Sequence, residues 1–106
     1  MTLIKMGFIV THPDLDPERD RTVMTGGNFQ LITVGVGRPE QGVEVARQLV
    51  EQDGAALLEL CGGFGPVWTG KIIEAIGNRV PVGSVNYGCE AIKGLTVFLP
   101  PDPGAK

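Results

Sequence analysis

Four short runs of β-branched and aromatic residues restrict what this chain can fold into more than any other feature of its sequence. They are Leu3–Val10, Phe29–Val36, Ala55–Leu60 and Val80–Asn86. Runs of this length and type, bounded by Gly, Pro, Asn and Asp, read as strands. Between the second and third, Val43, Ala46, Leu49 and Val50 lie on one stripe, with Glu44, Arg47, Gln48 and Glu51 largely opposite. That pattern is an amphipathic helix, opened by Gly37-Arg38-Pro39-Glu40 and closed by Gly54. Between the third and fourth, Gly65-Pro66 opens a second helix that turns Val67, Ile72, Ile73 and Ile76 inward and closes at Gly77. Asp16-Pro17-Glu18 has helix-start chemistry and predicts a short helix over 17–24, stopped at Gly26-Gly27. Leu95–Leu99 reads as a short fifth strand ended by Pro100-Pro101, and residues 102–106 as a frayed tail.

Strands alternating with helices form βαβ units with right-handed crossovers and a mostly parallel sheet. The expectation is a single small three-layer α/β domain over residues 1–101, flavodoxin-like, with four to five strands. Its 106 residues suffice for one domain, and 42 % hydrophobic with 20 % charged residues is a globular composition. Nine basic against twelve acidic residues leave a net charge of −3 and no basic cluster, which argues against nucleic acid. No apolar stretch is long enough to span a bilayer, and the apolar N-terminal run leads to no small-residue cleavage site. Two cysteines 28 positions apart give neither a disulfide framework nor a zinc pair. A cytoplasmic protein with reduced thiols is expected.

In open parallel sheets, ligands sit beyond the carboxyl ends of the strands. That edge collects Thr11 and His12 after the first strand and Gly37 and Arg38 after the second. The third delivers Cys61, Gly62, Gly63, Phe64 and Gly65, and the fourth Asn86, Tyr87, Gly88, Cys89 and Glu90. The chain's one His, one Tyr and both Cys therefore converge.

Three glycines in the four positions 62–65 let a backbone take positive φ and approach a ligand, and a nest of N–H groups leading into a helix can bind an anion. A thiol at Cys61 would be activated there as a nucleophile; equally, the glycines can serve a tight turn with Cys61 as a small buried hydrophobe. Glu59 shares a strand face with Ala55, Leu57 and Cys61. In a strand covered on both faces it must be paired, protonated or line a pocket, with Arg38 at the end of the second strand as a candidate partner. His12 can act as acid or base toward a ligand, or simply face solvent. His12, Cys61 and Cys89 have no metal-ligand spacing. Gly35-Val36-Gly37-Arg38-Pro39-Glu40 begins like a dinucleotide fingerprint, but Glu40 stands where the third glycine is needed, so no cofactor is expected. A sheet this small covers its faces poorly, so a homodimer or higher homo-oligomer is expected, anchored by Trp68 and Phe64.

The runs Ile4–Val10, Pro17-Glu18-Arg19, Leu31–Val36 and above all Glu59-Leu60-Cys61-Gly62-Gly63-Phe64-Gly65 resemble a family of small bacterial proteins that carry a domain-of-unknown-function label. The resemblance covers about Met1 to Tyr87 and implies a compact α/β domain without an assigned activity. A looser likeness is to aspartate/glutamate and hydantoin racemases, which place a cysteine at a strand end before a glycine-containing turn. That likeness implies Cys61 and Cys89 as paired thiols, although those enzymes draw one cysteine from each of two lobes and this chain has one.

The leading expectation is a protein that binds a small anionic metabolite through Gly62, Gly63, Phe64, Gly65, Arg38, Asn86 and Tyr87. The alternatives are a cysteine-dependent racemase or isomerase using Cys61, His12 and Glu59, and a partner-binding module without a ligand.

Overall fold

The computed structural model describes residues 2–98. Strands β1 (Ile4–Thr11), β2 (Arg21–Gly26), β3 (Phe29–Val36), β4 (Leu57–Leu60) and β5 (Val82–Ser84) form one sheet in the order β2-β3-β1-β4-β5. β1, β3, β4 and β5 run parallel, while β2 is antiparallel to β3. Helices α1 (Pro39–Glu51) and α2 (Gly65–Ala75) carry the two crossovers. A 3₁₀ turn at Cys89–Ala91 leads into α3 (Ile92–Phe98).

The connection from β3 to β4 passes over β1, and that from β4 to β5 continues in the same direction. Right-handed crossovers that keep one direction put both helices on one face, where α1 and α2 pack against each other. There Ile9, Ile32, Val34, Val36, Leu58 and Leu60 of the sheet meet Val45, Ala46 and Leu49 of α1 and Ile72 of α2 in a continuous core. Phe64 is buried in the same cluster: a Cβ on Gly42 of α1 would stand 2.5 Å from its ring.

The sheet is therefore mixed, with α1 and α2 both on one face and only the short α3 near the other. The reason lies in residues 12–28. Asp16 does start a turn, accepting the Glu18 N–H on Oδ1 and the Arg19 and Asp20 N–H groups on its carbonyl. The turn goes no further, because Thr22, Val23 and Thr25 prefer extended backbone. The two-residue loop Gly27-Asn28, with Gly27 at φ 57°, folds Arg21–Gly26 back onto β3 as a hairpin. The helix expected over 17–24 is a turn followed by a strand.

The expected strand at Leu95–Leu99 is also replaced, by α3 up to Phe98; Leu99 and the tail at 102–106 lie outside the described residues. A strand needs a neighbour for its backbone, whereas a helix satisfies its own. α1 and α2 begin and end close to the expected places. Gln41 Oε1 accepts the Gly37 and Arg38 N–H groups at 2.7 and 3.3 Å, closing the N-terminus of α1. Gly65, at φ 69°, makes the sharp entry into α2 that a side chain would resist.

Candidate functional site

The carboxyl edge of β1 and β4 is where the sheet and the irregular segments leave a space. The His12 N–H donates to the Val36 carbonyl at 2.9 Å, and the His12 carbonyl accepts from the Leu15 N–H at 2.9 Å. His12 is thereby fixed between β3 and the following loop. Across from it, the Cys61 N–H donates to the Ile9 carbonyl at 3.1 Å, extending the β1–β4 ladder by one residue. The Thr11 N–H in turn donates to Cys61 Sγ at 3.3 Å, so the thiol is held against the end of β1. Cys61 is half-buried.

Together these residues border a cleft of about 400 Å³. Its floor is Phe8 and Val10 of β1, and its walls are Leu15 on one side and Leu95 and Phe98 of α3 on the other. Thr11, His12, Cys61, Gly62 and Tyr87 supply the polar and backbone atoms of the rim. Ligand sites of 300–1,000 Å³ commonly combine an apolar lining with a few placed polar groups, and this cleft has that character.

Two details set its chemistry. The Asp14 N–H donates to His12 Nδ1 at 3.1 Å, so the neutral ring carries its proton on Nε2, which is left as a donor. The Asp14 carboxylate lies 3.9 Å from the same Nδ1. The glycines at 62 and 63 answer to space, since of the loop only Gly65 has positive φ. A Cβ on Gly62 would meet the Tyr87 ring at 2.6 Å, and one on Gly63 would meet Thr11 Cγ2 at 2.8 Å.

The loop that carries His12 and Leu15 is tied by charge. Asp20 accepts from Arg19 at 2.7 Å and from the Asp16 N–H at 2.8 Å. The hydrogen bond from Arg19, then that from the backbone, lower the Asp20 pKa, while Asp20 raises that of Arg19. The Asp20 carbonyl also accepts the Gly35 N–H at 2.8 Å, anchoring the loop's end to β3.

Of the residues singled out in the sequence, His12, Cys61, Gly62 and Tyr87 come together at this cleft. Gly63 stands beside Thr11 at its edge. Phe64 faces the opposite side, in the core between α1 and α2, which also removes it as a subunit anchor. Trp68 packs against the same core, with Lys71 Nζ 4.2 Å from its ring centroid. Gly65 begins α2, and Arg38 and Asn86 do not border the cleft. Glu59 is exposed and lines a separate, smaller cavity of about 180 Å³ with Gly83 and Ser84. The argument for pairing it with Arg38 fails because Glu59 is exposed and so needs no partner; among the described residues neither side chain is in an ion pair. Cys89 is exposed on the 3₁₀ turn and does not line the cleft. Sequence reasoning missed Phe8, Val10, Leu15, Leu95 and Phe98. The alternation Met6-Phe8-Val10 was the available signal, because it makes β1 apolar on both faces.

The profile of a family of unknown function, DUF6506, matches residues 4–99. The chain belongs to that family. The DUF6506 match continues past Tyr87, where the resemblance read from the sequence stops, and takes in the segment that forms α3. Both walls of the cleft therefore lie within the DUF6506 domain. No curated protein and no solved structure matches the chain.

Proposed function

We propose that this protein binds a small organic molecule with an apolar body and one carboxylate or carbonyl end. The observation that carries the reading is the cleft of about 400 Å³ that joins an apolar floor to the His12, Cys61 and Tyr87 rim. The apolar body would lie over Phe8 and Val10, and the acceptor end would take the hydrogen bond that His12 Nε2 is free to donate. This keeps the expected anionic ligand but moves its site from the glycine loop to the cleft. The binding would be non-covalent and would survive loss of the thiol.

The test is a set of matched probes, such as phenylacetate against 2-phenylethanol and hexanoate against hexanol, followed by thermal shift and amide NMR. Stabilisation by the acids, with shifts at Thr11, His12, Cys61 and Gly62, is expected in the wild type and in Cys61→Ser. His12→Ala should erase the preference for acid over alcohol. Absence of any shift at these residues at millimolar probe would sink the reading.

A second reading is supported by Cys61 and His12 bordering one cleft: a cysteine-dependent isomerase in which Cys61 takes a proton from a substrate carbon. It predicts incorporation of solvent deuterium at that carbon, lost in Cys61→Ser. The paired-thiol version would need a second thiol from elsewhere, because Cys89 does not line this cleft.

A further inference from the structure

Two cavities lie side by side over the sheet face opposite α1 and α2, and one side chain stands between them. The first is the cleft over Phe8 and Val10. The second, of about 280 Å³, lies over β3 and β2 and is lined by Val10, Leu15, Thr22, Thr33 and Gly35, with the Arg19–Asp20 pair at its border. Phe8 pairs with Thr33, Val10 with Gly35, and Thr33 with Thr22. Directly opposed residues share a face, so the floors of the two cavities are one surface. Val10 and Leu15 line both. Val10 belongs to the floor, which leaves Leu15 as the partition.

We infer that Leu15 sets the length of the ligand's apolar body: it stops the body at the end of the cleft and closes the second cavity to it. This rests on the ligand reading above and adds to it a residue that decides which ligands fit. The first support is that Leu15 is held still. Its N–H donates to the His12 carbonyl at 2.9 Å. On one side the Asp14 carbonyl accepts from Arg19 Nη2 at 2.7 Å, and on the other the Asp16 N–H donates to Asp20 Oδ2 at 2.8 Å. Both peptide groups that flank Leu15 are therefore tied.

The second support is the shape of β3 beneath it. A Cβ on Gly35 would stand 2.9 Å from Leu15 Cδ1 and 3.2 Å from its Cβ and Cγ, and one on Gly37 would stand 2.9 Å from the Leu15 carbonyl oxygen. Neither glycine has positive φ, so what they supply is room for this residue. The third support is direction. The opposite wall is Leu95 and Phe98, and Phe98 is 73 % exposed, so a body passing it enters water. A body passing Leu15 would remain over β3 and β2 in the second cavity.

The experiment is amide NMR titration of the full chain with straight-chain carboxylates from butanoate to decanoate, each below its micelle concentration. The proteins are the wild type, Leu15→Ala, Leu15→Val and Leu15→Ala/Thr33→Leu. Each methylene buried is worth about fourfold in affinity. In the wild type that gain is expected to stop at the chain length that reaches Leu15. In Leu15→Ala it should continue for about four further methylenes, one strand spacing of about 4.8 Å, so that the longest acids gain on the order of a hundredfold. Their shifts should then spread to Thr22, Thr33 and Gly35. Thr33 lines the second cavity and not the cleft, so Thr33→Leu fills the added space and should restore the wild-type limit. A merely loosened loop would not be reversed in this way. Leu15→Val should lengthen the limit by less, and it carries the test if Leu15→Ala does not fold. A limit unchanged in a folded Leu15 variant, or a wild type whose affinity climbs through decanoate, overturns the inference and leaves the ligand reading standing. A wild type that binds none of the acids overturns both.

Discussion

Replacing Gly42 by alanine sets two effects of opposite sign against each other, and the structure says which wins. Gly42 is buried inside α1, and alanine in a helix interior is worth about 1 kcal/mol more than glycine. Its Cβ, however, would stand 2.5 Å from Phe64 Cε1 and 2.9 Å from Cζ. The Phe64 ring is 3 % exposed, so it can retreat only by separating α1 from α2 or by shifting its own loop. Overpacking of that kind costs about 1–3 kcal/mol. The net expectation is a loss of about 1 kcal/mol, which lowers Tm by about 4–8 °C in a domain of this size. Gly70→Ala is the matched control: Gly70 is exposed in α2, and a Cβ there meets nothing within 4 Å. The same propensity term then acts alone and should stabilise by about 1 kcal/mol. Urea denaturation followed by circular dichroism, at one protein concentration, gives both values. Opposite signs are expected, with equal m-values. If Gly42→Ala stabilises as Gly70→Ala does, Phe64 is not wedged between the helices and the packing described for the glycine loop is wrong. Because Cys61 and Gly62 precede Phe64 on that loop, their amide resonances should move in Gly42→Ala and stay in place in Gly70→Ala.

Three further outcomes follow from the same geometry. Asp20 is held below its ordinary pKa of 3.8, so its contribution is complete above that pH and fades as pH falls through the lower folded value. Protection of the amides of residues 12–20, corrected for the intrinsic exchange rate, should fall in the wild type only as pH drops below 3.8, whereas Asp20→Asn should show the lower protection already at neutral pH; identical exchange in the two proteins at pH 7 would remove Asp20 as the tie of this loop. Leu58→Ala, at a fully buried core position, should cost about 2–5 kcal/mol by urea titration, and a loss under 1 kcal/mol would contradict a close-packed site there. Gly65→Ala places a Cβ at φ 69° with no steric neighbour, so its destabilisation of about 1 kcal/mol comes from backbone conformation alone; no change in denaturation midpoint would show that α2 can begin with another backbone geometry.

The parts of the fold legible in the sequence were those with a strong local period. Phe29–Val36 and the stripe Val43, Ala46, Leu49 and Val50 stand close to where their patterns put them, as β3 and α1. Segments with competing local signals went the other way. Asp16-Pro17-Glu18 carries a helix start, yet Thr22, Val23, Thr25 and the Gly27-Asn28 loop carry a hairpin. The hairpin prevails because β3 offers a free edge, and that is a tertiary fact no local window contains. Leu95 was misread for the converse reason, since its apolar neighbours suit a strand but no strand edge receives them. At the site, the convergence of His12, Cys61, Gly62 and Tyr87 followed from topology alone, through the rule that parallel strands deliver their following loops to one edge. Phe64 and Gly65 lie within the same short segment, but the chain turns between Gly63 and Gly65 and sends Phe64 into the core. Spacing in sequence does not reveal which way such a turn points.

The largest disagreement between sequence and structure is also the most instructive. Ile4, Met6, Phe8 and Val10 alternate with Gly7 and Ile9, so β1 is apolar on both sides, and parallel strands of that kind are covered on both faces. That argument produced the expected three layers, and it remains physically sound. What the single chain supplies is one full layer, α1 and α2, with α3 alone beside the carboxyl end of the other face, because the segment that would have formed a further helix became β2. On the other face the chain covers only the carboxyl end, where Leu15, Tyr87 and Leu95 and Phe98 of α3 stand around Phe8 and Val10. Toward the amino end Ile4, Met24 and Phe29 remain exposed, so the strand's two-sided apolar pattern is met in full on one face and in part on the other, and the cleft lies where that partial cover begins.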